Sequence, residues 1–214
     1  MVRPLIICNG AVDDHAKLYK GLSFAALYDA VITVDGGIAH ARRMGLSIDL
    51  AIGDFDSIQT DDIQYIQRNG IKKQTYPSDK NKTDSELAVD YCIQSGSSAV
   101  TVVAFRGSRL DHTVANILMF SEKSRTLAVT LVDEHNHAFF VHGHHEFDAP
   151  LDHYVSIISI TPSVTVEEST GLYYKLNNRT LKRGETVGVS NYAVRRKQTI
   201  TVSDGIALVT VSHD

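Results

Sequence analysis

Four aspartates stand where carboxylates could hold a hard cation or take a proton: Asp54, Asp56, Asp84 and Asp111. The first two lie one residue apart in Gly53-Asp54-Phe55-Asp56-Ser57, directly after Asp49-Leu50-Ala51-Ile52, which reads as a short buried strand. Gly53 lets the backbone turn sharply at the strand's carboxyl end, where open α/β sheets bind ligands. Alternation along an extended chain predicts Asp54 and Asp56 on one side and Phe55 on the other, so the pair shares a cation while the ring anchors the loop. A solvated acidic turn has the same composition. Thr83-Asp84-Ser85-Glu86 is a capping-box pattern that predicts Thr83 as N-cap and Asp84 in the first helical turn. Asp111, in Arg109-Leu110-Asp111-His112, is predicted to cap the helix that continues through Val114 to Leu118. Capping alone explains either aspartate; four at strand ends and helix starts point to a shared site.

Cations surround these carboxylates. Lys80 and Lys82 precede one helix start, and Arg106 and Arg109 flank Gly107-Ser108 before another. Solvated basic loops would look the same, but with Mg²⁺ on the carboxylates such a set suits a polyphosphate. Lys82 and Arg109 are the first choices for phosphate contacts, Lys80 and Arg106 the second. Neither the P-loop pattern nor G-x-G-x-x-G is present.

The elements that must position these groups follow from the hydrophobic pattern. Strands are predicted at 5–8, 30–34, 49–52, 71–75, 99–105 and 126–132, and helices at 15–28, from 38 to a stop at Gly45, at 58–68, at 84–94 and from Asp111. This alternation implies a mainly parallel sheet covered on both faces, α/β in class. After about residue 134 the helical signal ends. Short runs at 154–160, 164–168, 172–176, 199–202 and 206–211, separated by turns such as Asn177-Asn178 and Asp204-Gly205, predict a small all-β sandwich.

The 214 residues, 43% apolar and 21% charged, are ordinary for one large or two small globular domains, and a net charge of -4 offers no basic stripe for nucleic acid. Two cysteines, Cys8 and Cys92, in apolar surroundings argue for a reducing compartment, and no apolar run reaches a membrane span. Together with an amino-terminal apolar run too short for a signal peptide, this predicts a cytoplasmic protein.

Asp35-Gly36-Gly37, Gly53-Asp54-Phe55-Asp56-Ser57, Lys82-Thr83-Asp84, Arg109-Leu110-Asp111-His112 with Asn116, and Gly188-Val189-Ser190-Asn191 resemble, in order and spacing, the thiamine pyrophosphokinase family. The resemblance covers nearly the whole chain. It implies a Rossmann-like nucleotide domain over 1–133, a β-sandwich for thiamine binding and dimerisation over 134–214, a homodimer, and transfer of diphosphate from Mg·ATP to the hydroxyl of thiamine with release of AMP. On the same basis Asp54, Asp56 and Asp84 form the metal set with Asp111 beside it. Asp35, Gly36, Gly37, Lys82, Thr83, Arg109 and His112 then contact the nucleotide, and Ser190 and Asn191 the thiamine. The resemblance also implies that thiamine lies where one subunit's nucleotide domain meets the other's sandwich.

Two features depart from the family pattern. Gly107-Ser108 stands where the family has Gly-Gly, and the chain has no Trp to stack on thiamine. Tyr192 is one substitute, but its place reads more readily as that of an ordinary strand tyrosine. His135, His137, His142, His144 and His145 crowd a short run without cysteine, and alternation spreads them over different faces, so most are read as surface histidines and not as a zinc site. Two other readings of the acidic motif stay open. A phosphohydrolase of the haloacid dehalogenase type uses Asp-x-Asp but expects a Thr two residues on, where Ser57-Ile58 follows here. A nucleotide-sensing module needs the phosphate contacts without four carboxylates.

Overall fold

In the first part of the chain strand and helix alternate as the pattern requires. The computed structural model describes residues 2–25, 28–56, 58–77, 79, 81–151 and 153–213, with 23–25 described by backbone alone. Ser57 and Lys80, both singled out above, lie outside the described residues. The chain divides into two units, Met1–Glu134 and His135–Asp214.

The first unit is built on strands β1 (Pro4–Ile7), β2 (Ala30–Val34), β3 (Leu50–Gly53), β4 (Lys72–Thr75), β5 (Ala99–Val103) and β6 (Ala128–Val132). All pair in parallel, in the order β6-β5-β1-β2-β3-β4. Helices α1 (His15–Ala25), α2 (Gly37–Arg43), α3 (Thr60–Arg68), α4 (Asp84–Gln94) and α5 (Leu110–Lys123) connect them. The central strands are buried because helices cover them: Leu5, Ile7, Val31 and Val103 pack with Leu18 and Leu22 of α1 and Ala41 of α2. Chain order runs outward from β1 through β4 and then jumps back to the other side of β1 at β5. That reversal opens a crevice at the carboxyl ends of β1 and β5, where the two connecting loops diverge.

Most differences from the sequence reading lie at element ends. Ile58 is a buried core residue before α3, which begins at Thr60. Asp111 is not the N-cap of α5; the cap is Arg109, and Asp111 sits inside the first turn.

The second unit is antiparallel. Its strands are β7 (Asn136–Asp148), β8 (Tyr154–Ser159), β9 (Ser163–Thr170), β10 (Arg179–Lys182), β11 (Asn191–Tyr192) and β12 (Lys197–Ser212). β12 pairs with β7 along nearly its whole length, while its other edge takes β9 in the first half and β8 in the second. Residues from β7, β8, β9, β10 and β12 meet in one core, including Phe139, Ile157, Val164, Leu181, Ile200 and Val209.

Two expectations are corrected here, and one gap is filled. The histidine-rich run, to which the pattern gave no element, is one long strand; His135, His142 and His144 are exposed as expected, while His137 is half-buried with its ring packed on Phe139, which His145 and Phe147 also approach. Asp204-Gly205 does not separate two strands, because β12 continues through an irregularity in its ladder. Residues 172–176 form no strand; Leu172 makes one isolated bridge to Ala193. Among the described residues no helix is long and apolar enough to cross a membrane.

Candidate active site

A cleft of about 600 Å³ opens at the chain reversal. Its walls come from the end of β1 (Cys8 to Ala11), the end of β2 (Val34, Asp35), the start of α4 (Thr83 to Ser85) and the stretch from Ala104 to Arg109, with His112 and Asn116 of α5. The structure therefore gathers Asp35, Thr83, Asp84, Arg109 and His112, five of the residues singled out from sequence, around one space. Two long helices begin at it, so their unpaired amides and partial positive charge face the cleft.

Local sequence explains each wall. Thr83 is extended and its hydroxyl accepts the Glu86 N–H at 3.2 Å, so α4 starts where the cap pattern placed it. The Glu86 carboxylate lies 3.6 Å from Lys82 Nζ and 3.3 Å from Lys123 Nζ. Asn116, 7% exposed, donates from Nδ2 to the Phe105 carbonyl at 2.8 Å and ties α5 to the loop after β5. Gly36 and Gly37 let α2 approach closely: a Cβ on Gly36 would lie 2.3 Å from Asn9 Oδ1, and one on Gly37 2.1 Å from the Ile7 carbonyl oxygen. Asn9 lines the cleft and was missed by the sequence reading; only its place after β1, in Asn9-Gly10, marked it.

The acidic loop lies next to this space without lining it. Gly53 touches Asp35: a Cβ there would fall 1.9 Å from Asp35 Oδ1. Beyond it the chain is not extended, as alternation assumed, but turns at Phe55 (φ 62), and the Asp56 N–H donates to Asp54 Oδ1 at 3.1 Å. Phe55 packs on the cluster of Ile38, Ala51, Ile58 and Ile66, with Lys73 Nζ 4.4 Å from its ring centre, so the ring does anchor the loop. Asp54 is half-buried and Asp56 exposed. Among the described residues no three His, Cys, Asp or Glu side chains gather closely enough to cage a metal. Mg²⁺ does not need such a cage, since it binds through one or two carboxylates together with phosphate oxygens and water. The Asp54–Asp56 turn fits that mode of binding.

Of the four cations chosen for phosphate, the three described ones are all paired to carboxylates. Lys82 lies outside the cleft lining, with Nζ 2.6 Å from Asp90 Oδ2 and 3.6 Å from Glu86; the hydrogen bond to Asp90 raises its pKa. Arg109 holds Asp111 through two contacts, at 3.2 and 2.6 Å, and that bond keeps the Asp111 carboxyl below the usual range. Both are about two-thirds exposed, so substrate phosphate can compete for the guanidinium. Arg106 is bound to Asp133 and Glu134. Ser108 is exposed at the cleft edge, and even a Cβ on Gly107 would make only ordinary contact, so Gly107-Ser108 leaves the loop uncrowded.

In the second unit Ser190 is exposed with φ 58, and its N–H donates to Ser156 Oγ at 3.0 Å. Asn191 is 3% exposed; its Oδ1 accepts the N–H of Tyr174 and of Tyr192, both at 2.9 Å, and Nδ2 donates to the Tyr174 carbonyl at 2.7 Å. The amide thus stands in for a strand partner along 172–176. It supports a tyrosine cluster that sequence reading had reduced to Tyr192: Tyr173 stacks on Tyr192 with ring centres 4.5 Å apart, and Tyr174 meets Tyr173 edge-on at 4.8 Å. Tyr173 and Tyr174 are 55% and 60% exposed.

The chain is similar to two family models, that of the thiamin pyrophosphokinase catalytic domain over residues 24–131 and that of the thiamin pyrophosphokinase vitamin B1 binding domain over 144–207. It is 29% identical to a thiamine pyrophosphokinase of Bacillus subtilis (strain 168) over 188 residues, covering 86% of this chain and 87% of the relative. The fold matches the crystal structure of a thiamin pyrophosphokinase from Geobacillus thermodenitrificans with a TM-score of 0.82 at 26% identity, covering 100% of this chain and 98% of the other. The crystal structure of a thiamine pyrophosphokinase from Bacillus subtilis superposes with a TM-score of 0.86 at 23% identity over 99% of both chains.

Proposed function

Since the chain belongs to the thiamin pyrophosphokinase family, we propose that ATP binds in the cleft between β1 and β5, beside the Asp54–Asp56 turn. The activity is that of a thiamine pyrophosphokinase, and diphosphate passes from ATP to thiamine. The phosphohydrolase and sensing-module readings have no support from either family model. The observation that carries the site assignment is the convergence of the α4 and α5 starts, Asp84 and Arg109 on one cleft at the chain reversal.

In this reading the thiamine hydroxyl oxygen forms a bond to the β-phosphorus. The bond from that phosphorus to the oxygen bridging it to the α-phosphorus breaks, and the electron pair leaves with AMP. An alcohol is a far weaker acid than a carboxylic acid, so a carboxylate accepts its proton only as transfer proceeds, and positioning with charge neutralisation carries most of the rate. Asp54, Asp56 and Asp84 would hold Mg²⁺, and the ion would supply positive charge to neutralise the phosphate oxygens. Arg109, released from Asp111 by substrate, takes phosphate charge; Thr83, His112, Asp35, Gly36 and Gly37 shape the nucleotide pocket. Lys82 contributes through α4, where it pairs with Asp90.

Thiamine is assigned to the second unit, residues 134–214 in the sequence division. Because the chain has no Trp, the exposed Tyr173 and Tyr174 faces are the aromatic surface for its rings, with Ser190 as polar contact and Asn191 holding the cluster in place. The working form is a homodimer in the cytoplasm, a location consistent with two buried free thiols. The test is incubation with Mg·ATP with and without thiamine, followed by chromatography. Thiamine-dependent AMP is expected; stoichiometric ADP would mean attack at the γ-phosphorus, and AMP independent of thiamine would refute the transfer.

A further inference from the structure

Arg106 lines the cleft, yet its guanidinium points into two carboxylates at the end of β6. Nε donates to Asp133 Oδ2 at 2.8 Å and Nη2 to Glu134 Oε2 at 3.3 Å. Both acids are almost fully buried, with side chains 7% and 3% exposed, while Arg106 is 36% exposed. The other Glu134 oxygen accepts the backbone N–H of Asp13 at 2.6 Å and of Asp14 at 3.3 Å. Asp14 in turn caps the start of α1 through the N–H groups of Ala16 and Lys17. The two cleft walls are also laced together directly, Gly10 N–H to the Ala104 carbonyl at 2.8 Å and Ala11 N–H to the Arg106 carbonyl at 2.7 Å. Nothing larger than glycine fits at the crossing: a Cβ on Gly10 would lie 2.1 Å from the Arg106 carbonyl oxygen and 2.3 Å from that of Ala104.

We propose that Arg106, Asp133 and Glu134 form a clamp that fixes the Asn9–Ala11 and Ala104–Arg109 walls of the cleft relative to each other, with Arg106 a positioning residue for ATP and not a ligand of its phosphates. This rests on the cleft being the ATP site. Burial pulls the Arg106 pKa down, but the Asp133 hydrogen bond and the charges of Asp133 and Glu134 raise it overall, so the pairing holds the charge in place. Two buried carboxylates persist only while a cation answers both, and the planar fork of arginine does so from one residue; a lysine ammonium cannot reproduce that fork.

The sign of one effect decides the matter. Glu134→Gln keeps an oxygen acceptor for the Asp13 and Asp14 amides and replaces the charged acceptor that faces Arg106 with an amide NH2, which cannot accept from it. If Arg106 were a phosphate ligand competing with Glu134, the substitution would free it and tighten ATP binding. If Arg106 is a clamp, binding weakens by about tenfold, the scale of one charge-assisted hydrogen bond. The measurement is calorimetric titration of the folded variants with Mg·ATP alone, beside steady-state kinetics with both substrates. Glu134→Gln and Arg106→Lys should each raise the KM for ATP while leaving that for thiamine unchanged, and the double variant should be no worse than the worse single one. Asp133→Asn repeats the sign test should Glu134→Gln fail to fold. Tighter ATP binding, additive losses, or normal ATP affinity despite a lowered melting temperature would each overturn the clamp. Wild-type protein that makes no thiamine-dependent AMP but binds Mg·ATP would sink the functional reading and leave the clamp to be decided by the same titration.

Discussion

Replacing Asn191 by alanine separates a residue that touches thiamine from one that holds the thiamine site together. Alanine removes two accepted bonds and one donated bond, leaving the Tyr174 N–H and carbonyl and the Tyr192 N–H without those partners. At about 1 kcal/mol net for each bond the loss is roughly 3 kcal/mol, reduced to about 2–3 kcal/mol by water reaching the exposed Tyr174 edge. With no Trp in the chain, tyrosine fluorescence or circular dichroism during urea unfolding is the suitable assay. With a slope of about 2–3 kcal/mol per molar urea, the midpoint of the transition involving this unit should fall by about 1 M. The KM for thiamine should rise as well, because the backbone carrying Tyr173 and Tyr174 loses its tether. An unchanged urea midpoint with a raised KM would refute the scaffold account and make Asn191 a direct ligand.

Asp56→Asn should leave the urea midpoint near wild type, since the side chain is exposed, and lower kcat by roughly a hundredfold or more; near-normal turnover would remove Asp56 from the metal site. His40, His137 and His145 all have pKa values below 6.5, each chiefly because burial disfavours the charged ring, so the unfolded chain binds more protons than the folded one as pH falls below 6.5. Their stabilising contribution is therefore complete above pH 6.5 and lost as pH falls through the lowered values; His137→Phe should flatten urea stability between pH 7 and 5, and an unaltered slope would acquit His137. Cys8 and Cys92 are pushed up by burial to about 11 and about 12, so at pH 8 on the order of a thousandth or less of either thiol is ionised and a thiol reagent should label both only after unfolding. Rapid labelling of native protein would contradict the buried placement.

What the sequence alone determined rests on signals that neighbouring residues carry. Alternating strand and helix patterns were enough to place six parallel strands: five are largely buried apolar runs, as burial on both faces demands, while the edge strand β4, Lys72–Thr75, is polar and largely exposed and was marked by its place in the alternation. Thr83 was legible as a cap since the bond it makes reaches only three residues along. Asp84 and Arg109 were legible as cleft-facing candidates because strand ends and helix starts meet at the sheet's carboxyl edge in this class of fold, whereas Asp35 and His112 were marked only by the family resemblance.

Tertiary structure decided the rest, wherever a polar side chain could choose among partners. Arg106 and Lys82 read alike as loop cations, but Arg106 found Asp133 and Glu134, 27 and 28 residues away, and Lys82 found Asp90 along α4. Asn191 was expected, from the family resemblance, to contact thiamine, and its burial depended on a segment, Leu172 to Leu176, that lacks a strand ladder and takes an amide in its place. The histidine-rich stretch carried no strand pattern because His137 and His145 supply apolar ring faces toward Phe139 where pattern reading expects aliphatic residues. Long-range partners, left-handed backbone at Phe55 and rings buried by their flat faces leave no mark on local periodicity, so only the folded chain could show them.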